Sequence, residues 1–203
     1  MDPCPAPDPS ALLAARTAPG RGPSRRRVGD DPAHRRHRTG VSTHPAEVRI
    51  IGVDPGVTGG LALMVSGIVT AVEPMPVHES VADGHGLANL IERWNADVVV
   101  VEKTQAMPKN GSIASYSLGM NTGIVYGVVT ALQHPLVKIR PVDWKRANGL
   151  IGKTKDASRG LAAELWPGLL HEFKIKRTGE GKAEAALIAR AHHITYIRES
   201  NAS

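Results

Sequence analysis

Arg49-Ile50-Ile51-Gly52-Val53-Asp54 is an apolar run that ends in a carboxylate, and half of the turn behind it, Pro55-Gly56-Val57-Thr58-Gly59-Gly60, is glycine. A short apolar run closed by turn residues reads as a buried strand, so this one delivers Asp54 to its tip. Val98-Val99-Val100-Val101 is a second such run and ends in Glu102. An unbroken valine run reads as a strand covered on both faces. A third acid, Glu184, lies in the alanine-rich stretch Lys182-Ala183-Glu184-Ala185-Ala186-Leu187-Ile188-Ala189. Two acids capping strands and one on a late helix can converge on divalent cations, which favour hard carboxylate oxygens and can both activate water and stabilise a leaving oxygen. The expectation is a metal-dependent nuclease.

Outward from these runs the pattern predicts strands at 49–54, 60–65 and 68–73, with Ser66-Gly67 turning the last two into a hairpin. Leu87, Leu90, Ile91 and Trp94 fall at helical spacing and place a helix at 82–95. A strand at 98–102, a helix at 112–133 and a strand at 136–140 follow. Pro141 starts a short helix or turn, 155–165 is helical up to Pro167-Gly168, and 181–197 is the final helix. Antiparallel strands first and parallel ones later give an α/β fold, a mixed five-stranded sheet with helices on both faces. Gly119, Gly123 and Gly127 recur every four residues on one helical face. Each costs ~1 kcal/mol relative to alanine, and tight packing inside the monomer is preferred over contact with a second subunit as the compensation.

The chain has 203 residues, 41% of them hydrophobic and only 3% aromatic, so its core is aliphatic. No apolar run approaches the ~18 residues that span a bilayer. The single cysteine, Cys4, excludes an internal disulfide and carries no compartment signal beyond compatibility with a reducing cytosol; a cytoplasmic, DNA-associated protein is the expectation. Residues 1–46 hold eight of the 15 prolines, and eight arginines against four aspartates, hence +4 of the net charge of +6. Such a segment buries too little to offset its ordering entropy and is expected to be a disordered basic tail. An organelle transit peptide, disfavoured by the aspartates, is the weaker reading. The expected division is a tail at 1–46, a nuclease domain at 47–198 and a C-terminal tail at 199–203. Deleting residues 1–46 should leave the melting temperature unchanged; a fall of several degrees in a thermal scan would place the tail on the domain.

Each acid has a plain alternative as a loop residue or helix cap. Glu180, four residues before Glu184 on the same helical face, reads first as a helix-start acid favoured by the dipole and second as an auxiliary metal ligand. Gly149-Leu150-Ile151-Gly152-Lys153-Thr154 resembles half of a phosphate-binding loop, but Ala147 stands where the pattern needs glycine. It reads instead as a basic loop. Lys103, Lys109, Lys145, Arg146, Lys153, Lys155 and Lys182 are the candidates for DNA-phosphate contacts. Trp144 either stacks on a base or packs under the sheet edge, packing being the commoner fate.

Taken together and in order, Ile50-Ile51-Gly52-Val53-Asp54-Pro55-Gly56, Val100-Val101-Glu102-Lys103, Pro141-Val142-Asp143-Trp144-Lys145, Lys155-Asp156-Ala157-Ser158 and Gly181-Lys182-Ala183-Glu184-Ala185-Ala186-Leu187-Ile188-Ala189 resemble a RuvC-type Holliday junction resolvase of the ribonuclease H-like superfamily, closest to its phage-like branch. The resemblance covers residues 48–197. It implies nicking of four-way DNA junctions by a homodimer with Mg²⁺ or Mn²⁺, two ions per site, held by Asp54, Glu102 and Glu184. Bacterial members usually carry two aspartates three apart in the last helix. Here Gly181 and Leu187 occupy the positions three before and three after Glu184, leaving Glu180 or Lys182 to take over part of that role. Related nucleases acting on flaps or RNA, and a non-catalytic nucleic-acid-binding relative, are the alternatives. An ATP-binding fold of the actin and sugar-kinase type shares the first strand and hairpin but needs a second core this chain is too short to hold.

Overall fold

The computed structural model describes residues 47–104, 111–154 and 156–200. The expected tail at 1–46, together with Lys109 and Lys155, lies outside the described residues. Strands β1 (Arg49–Asp54), β2 (Gly60–Val65) and β3 (Ile68–Pro74) come first, then a small hairpin of β4 (Val77–His78) and β5 (Val81–Ala82). Helix α1 (Gly84–Trp94), β6 (Val98–Glu102), α2 (Ser112–Ala131) and β7 (Leu136–Ile139) follow, and then α3 (Pro141–Ala147), α4 (Ala157–Leu165), the one-turn α5 (Leu170–Phe173) and α6 (Gly179–Ser200). The main sheet has the order β3-β2-β1-β6-β7. β1 pairs antiparallel with β2 and parallel with β6, and β6 pairs parallel with β7. The mixed five-stranded sheet expected from the sequence is therefore present, with helices on both faces.

The pleat sorts the core into two layers. Ile50, Ala62, Met64 and Val100 pack with Trp144, Ala162 and the alanines of α6 on one face. Ile51, Val53, Leu61, Val99 and Val101 pack with Leu87, Ile91, Val125 and Val129 of α1 and α2 on the other. β1 and β6 are in register from Ile50 opposite Val98 to Val53 opposite Val101. Asp54 and Glu102 each lie one residue beyond the last pair. By the period of two they share a face with Ile50, Gly52, Val98 and Val100, the face that α6 covers.

Gly52 explains why α6 lies so close. A Cβ there would run into the carbonyl oxygen of Ala185 and come within 2.7 Å of the amide nitrogen of Ala189. Strand and helix meet backbone to backbone, and Ala183, Ala185, Ala186 and Ala189 are fully buried around the contact. One turn earlier Gly59 and Gly181 form an isolated parallel bridge.

Ser66 and Gly67 turn the β2–β3 hairpin with φ of 48° and 89°, the left-handed pair of a tight turn. The β4–β5 hairpin was not expected. Its turn residues, Glu79 and Ser80, also have positive φ but offer no glycine signal, and it is fastened by Asn121 of α2, whose Oδ1 accepts from the Ala82 amide at 2.6 Å. The expectation for the glycines of α2 is corrected. A Cβ at Gly119, Gly123 or Gly127 would meet nothing within 4 Å. The buried face of that helix is Asn121, Thr122, Val125 and Val129, so the glycines fall on the exposed stripe. The final helix begins at Gly179, two residues before its expected start, which puts Glu180 in its first turn.

Candidate active site

Asp54, Glu102, Glu180 and Glu184 line one cavity of about 570 Å³ at the carboxyl ends of β1 and β6. Open α/β sheets gather ligands at that edge. Lys145 and Lys153 line the same cavity, as does Arg177, which is not among the DNA-contact candidates read from the sequence. The glycine-rich stretch from Leu150 to Thr154 forms part of the wall, with Gly149 and Gly152 at φ of 68° and 73°.

Each acid is placed differently. Asp54 sits on the turn that Gly56 closes, its Oδ1 accepting from the Gly56 amide at 3.2 Å. Glu102 accepts a hydrogen bond at Oε1 from the indole Nε1 of Trp144, at 2.9 Å. Trp144 is fully buried, so packing under the sheet is its fate, but it also has this polar contact that the sequence did not show. Glu184 projects from the second turn of α6, the one residue between Gly181 and Ala189 that is not fully buried. Gly181 cannot hold an acid beside it, because a Cβ there would strike Gly59 and the carbonyl of Thr58.

Lys182 is corrected as a DNA contact and as a stand-in at the metal site. It is 1% exposed and its Nζ pairs with Glu172, beside α5 and away from the cavity. That pairing holds the Glu172 carboxyl below its usual range. Arg146 is exposed but bridges to Asp143 at 3.5 Å, and Arg140 holds the same carboxylate at 2.6 Å. Lys103 is exposed at the end of β6, outside the cavity lining.

The cavity is electrostatically unbalanced. Burial, then the charges of Asp54 and Glu102, push the Glu184 carboxyl up to about 7; Glu180 adds to the rise and Lys145 opposes it. Burial also raises Glu102, against the Trp144 hydrogen bond and Lys145. Among the described residues no three acidic, histidine or cysteine side chains are drawn to a single point as metal ligands are. The carboxylates face a common space and repel across it. That donor set, carboxylates with room for water, fits a hard divalent cation, whose charge would remove the repulsion.

A raised folded value means that Glu184 stabilises the fold while protonated and that this contribution is lost as pH climbs from about 4.5 through 7. Burial lowers His192 and His193, which acts with the opposite sign. Comparison with Glu184→Gln isolates the acid. In EDTA, the Gln variant should melt above the wild type at pH 8, and the gap should close by pH 5. Equal melting curves at both pH values would show that the acid is not under strain.

No family model matches the chain. It is 30% identical over 119 residues to the crossover junction endodeoxyribonuclease RuvC of Thermomicrobium roseum, an alignment spanning 53% of this chain and 72% of that one. Solved structures share its fold, among them two of one bacterial protein. Thermus thermophilus RuvC superposes with a TM-score of 0.56 at 20% identity, covering 75% of this chain and 97% of the other. The same bacterium's RuvC in complex with Holliday junction substrate gives 0.54 at 18% identity, covering 75% and 96%. The sheet order, the acids at its carboxyl edge and the sequence relationship have one reading: the chain belongs to the family of RuvC crossover junction endodeoxyribonucleases.

Proposed function

We propose that this protein nicks four-way DNA junctions by metal-ion-assisted phosphodiester hydrolysis. The observation that carries the reading is the convergence of Asp54, Glu102 and Glu184, from two neighbouring strands and one helix, on a single cavity in a chain of this family. Asp54, Glu102 and Glu184 would hold the ions, with Glu180 as an auxiliary. Divalent cations bound there supply an activated water and neutralise charge on the leaving oxygen.

The chain's own residues do the rest. Lys145, Lys153 and Arg177 bring positive charge to a cavity that also holds four acids, where they bind the phosphates flanking the scissile one and fix its register. With its carboxyl raised to about 7, Glu184 would have to be deprotonated to hold a cation, so cation affinity is expected to rise with pH. Asp54, at the end of β1, would hold a cation on its short side chain.

The test is incubation with a synthetic four-way junction, a flap and a plain duplex, with Mg²⁺, with Mn²⁺ and with EDTA. Symmetric nicking of the junction, lost in EDTA, is the expected result. Preference for the flap would move the assignment to another branched substrate, and binding without cleavage would make the protein a non-catalytic relative.

The working unit is proposed to be a homodimer. The exposed stripe of α2 carries Gly119, Gly123 and Gly127 in line with Ile113 and Tyr116, which are 86% and 71% exposed. Small residues let a second helix approach closely and the two large ones would be covered by it. The protein should sediment as a dimer and Gly123→Arg as a folded monomer. An active wild-type monomer would refute this.

A further inference from the structure

Trp144 reaches further than its packing. An indole carries one donor and no acceptor. A buried tryptophan can satisfy that donor with any backbone carbonyl; this one donates to Glu102. The remainder of its residue is tied down as well. Asn148, itself buried, donates from Nδ2 to the Trp144 carbonyl at 2.8 Å and to the Leu187 carbonyl of α6 at 2.9 Å. Its own Oδ1 accepts from Arg190 Nη1 at 2.8 Å. Leu187 lies one turn beyond Glu184. A continuous hydrogen-bonded path therefore runs from the carboxylate at the end of β6, through the indole and the backbone of α3, to the helix that carries the facing carboxylate.

We propose that Trp144 is the positioning residue of Glu102 and that, braced by Asn148, it sets the separation between Glu102 and Glu184. With Oε1 engaged by the indole, the carboxylate cannot swing freely, and Oε2 is the oxygen left for a ligand in the cavity. Groups that orient a ligand from behind it are worth roughly 10- to 100-fold in metal affinity. The proposal rests on the reading of the acids as a cation site.

The test uses Trp144→Phe, which keeps an aromatic ring and removes the donor. Mn²⁺ affinity is measured by calorimetry without DNA, junction binding in EDTA, and nicking against Mn²⁺ concentration. The expected result is Mn²⁺ binding weakened roughly tenfold or more, nicking restored by excess Mn²⁺, and junction binding unchanged. In a Glu102→Gln background the same substitution should cost nothing further in Mn²⁺ affinity. Mn²⁺ affinity within twofold of the wild type would reduce Trp144 to packing and overturn the proposal, leaving the cation site intact. If Trp144→Phe does not fold, the indole N–H resonance of ¹⁵N-labelled wild type decides. A shift on adding Mg²⁺ supports the coupling, and an unmoved resonance in a protein that binds Mg²⁺ refutes it. A wild type that binds neither ion brings down the site reading and this inference together.

Discussion

Asp54→Asn should fold, bind a four-way junction and fail to cut it. The substitution is nearly isosteric, and the amide oxygen can still accept from the Gly56 amide, the contact that Asp54 makes across its turn. What disappears is one negative charge at the bottom of the cavity. Cation stabilisation of a transition state is worth several kcal/mol. At about 1.4 kcal/mol per decade, nicking should fall on the order of 10³-fold. Lys145, Lys153 and Arg177, the residues proposed to bind the DNA, are untouched, so a gel-shift assay in EDTA should show wild-type affinity. One of the charges that raise Glu184 is also gone, so the cation-free variant should melt slightly higher than the wild type. Nicking at the wild-type rate would remove Asp54 from the mechanism.

The second large effect is on stability. Aspartate at 181, three before Glu184, would supply the paired acid that the family resemblance in the sequence leads one to expect. Gly181→Asp should nevertheless cripple the protein. Its Cβ would meet the Cα and carbonyl carbon of Gly59 and the carbonyl oxygen of Thr58, all backbone atoms with no rotamer to change. Overpacking against a rigid neighbour costs up to about 3 kcal/mol, which for a domain of this size is a fall of roughly 10 °C in melting temperature. The shift also moves the first turn of α6 away from β1, taking Glu184 out of reach of Asp54, so activity is lost rather than gained. Gly160→Ala is the control. It is an exposed helical position with nothing within 4 Å of the added methyl and should gain up to ~1 kcal/mol. A Gly181→Asp variant that melts with the wild type would show that the bridge to Gly59 yields easily.

The positions of Asp54 and Glu102 were legible because strands have a period of two. Once the apolar runs are paired, residues at their tips must share a face. The parallel pairing of β1 and β6, on which this depends, is visible only in the folded sheet. The first half of α6 was harder to read. From Gly181 to Ala189 it is buried on nearly every side, so the usual contrast between an apolar and a polar face is missing and the phase of the helix cannot be deduced from composition. Glu184 stood out as the acid among alanines, and it lines the cavity. Lys182 was misplaced, because nothing local announces that a lysine finds its counter-charge in Glu172 ten residues earlier. The α2 glycines misled for a related reason. Their spacing shows that they share a face, but which face is set by Asn121 and Val125 meeting the sheet. Trp144 and Asn148 act on residues about 40 positions away in sequence, a relation visible only in three dimensions.

The backbone contact between β1 and α6 has a mechanical corollary. With no side chain between strand and helix there is no cushion to compress and no rotamer to exchange, so the two elements behave as one rigid piece. If the proposed cation site is to adapt to ions of different radius, the adjustment must then come from the arms of the carboxylates themselves. Asp54 has a short arm on a closed turn, and Glu102 is held by the indole, which leaves the longer reach of Glu184 as the adjustable jaw.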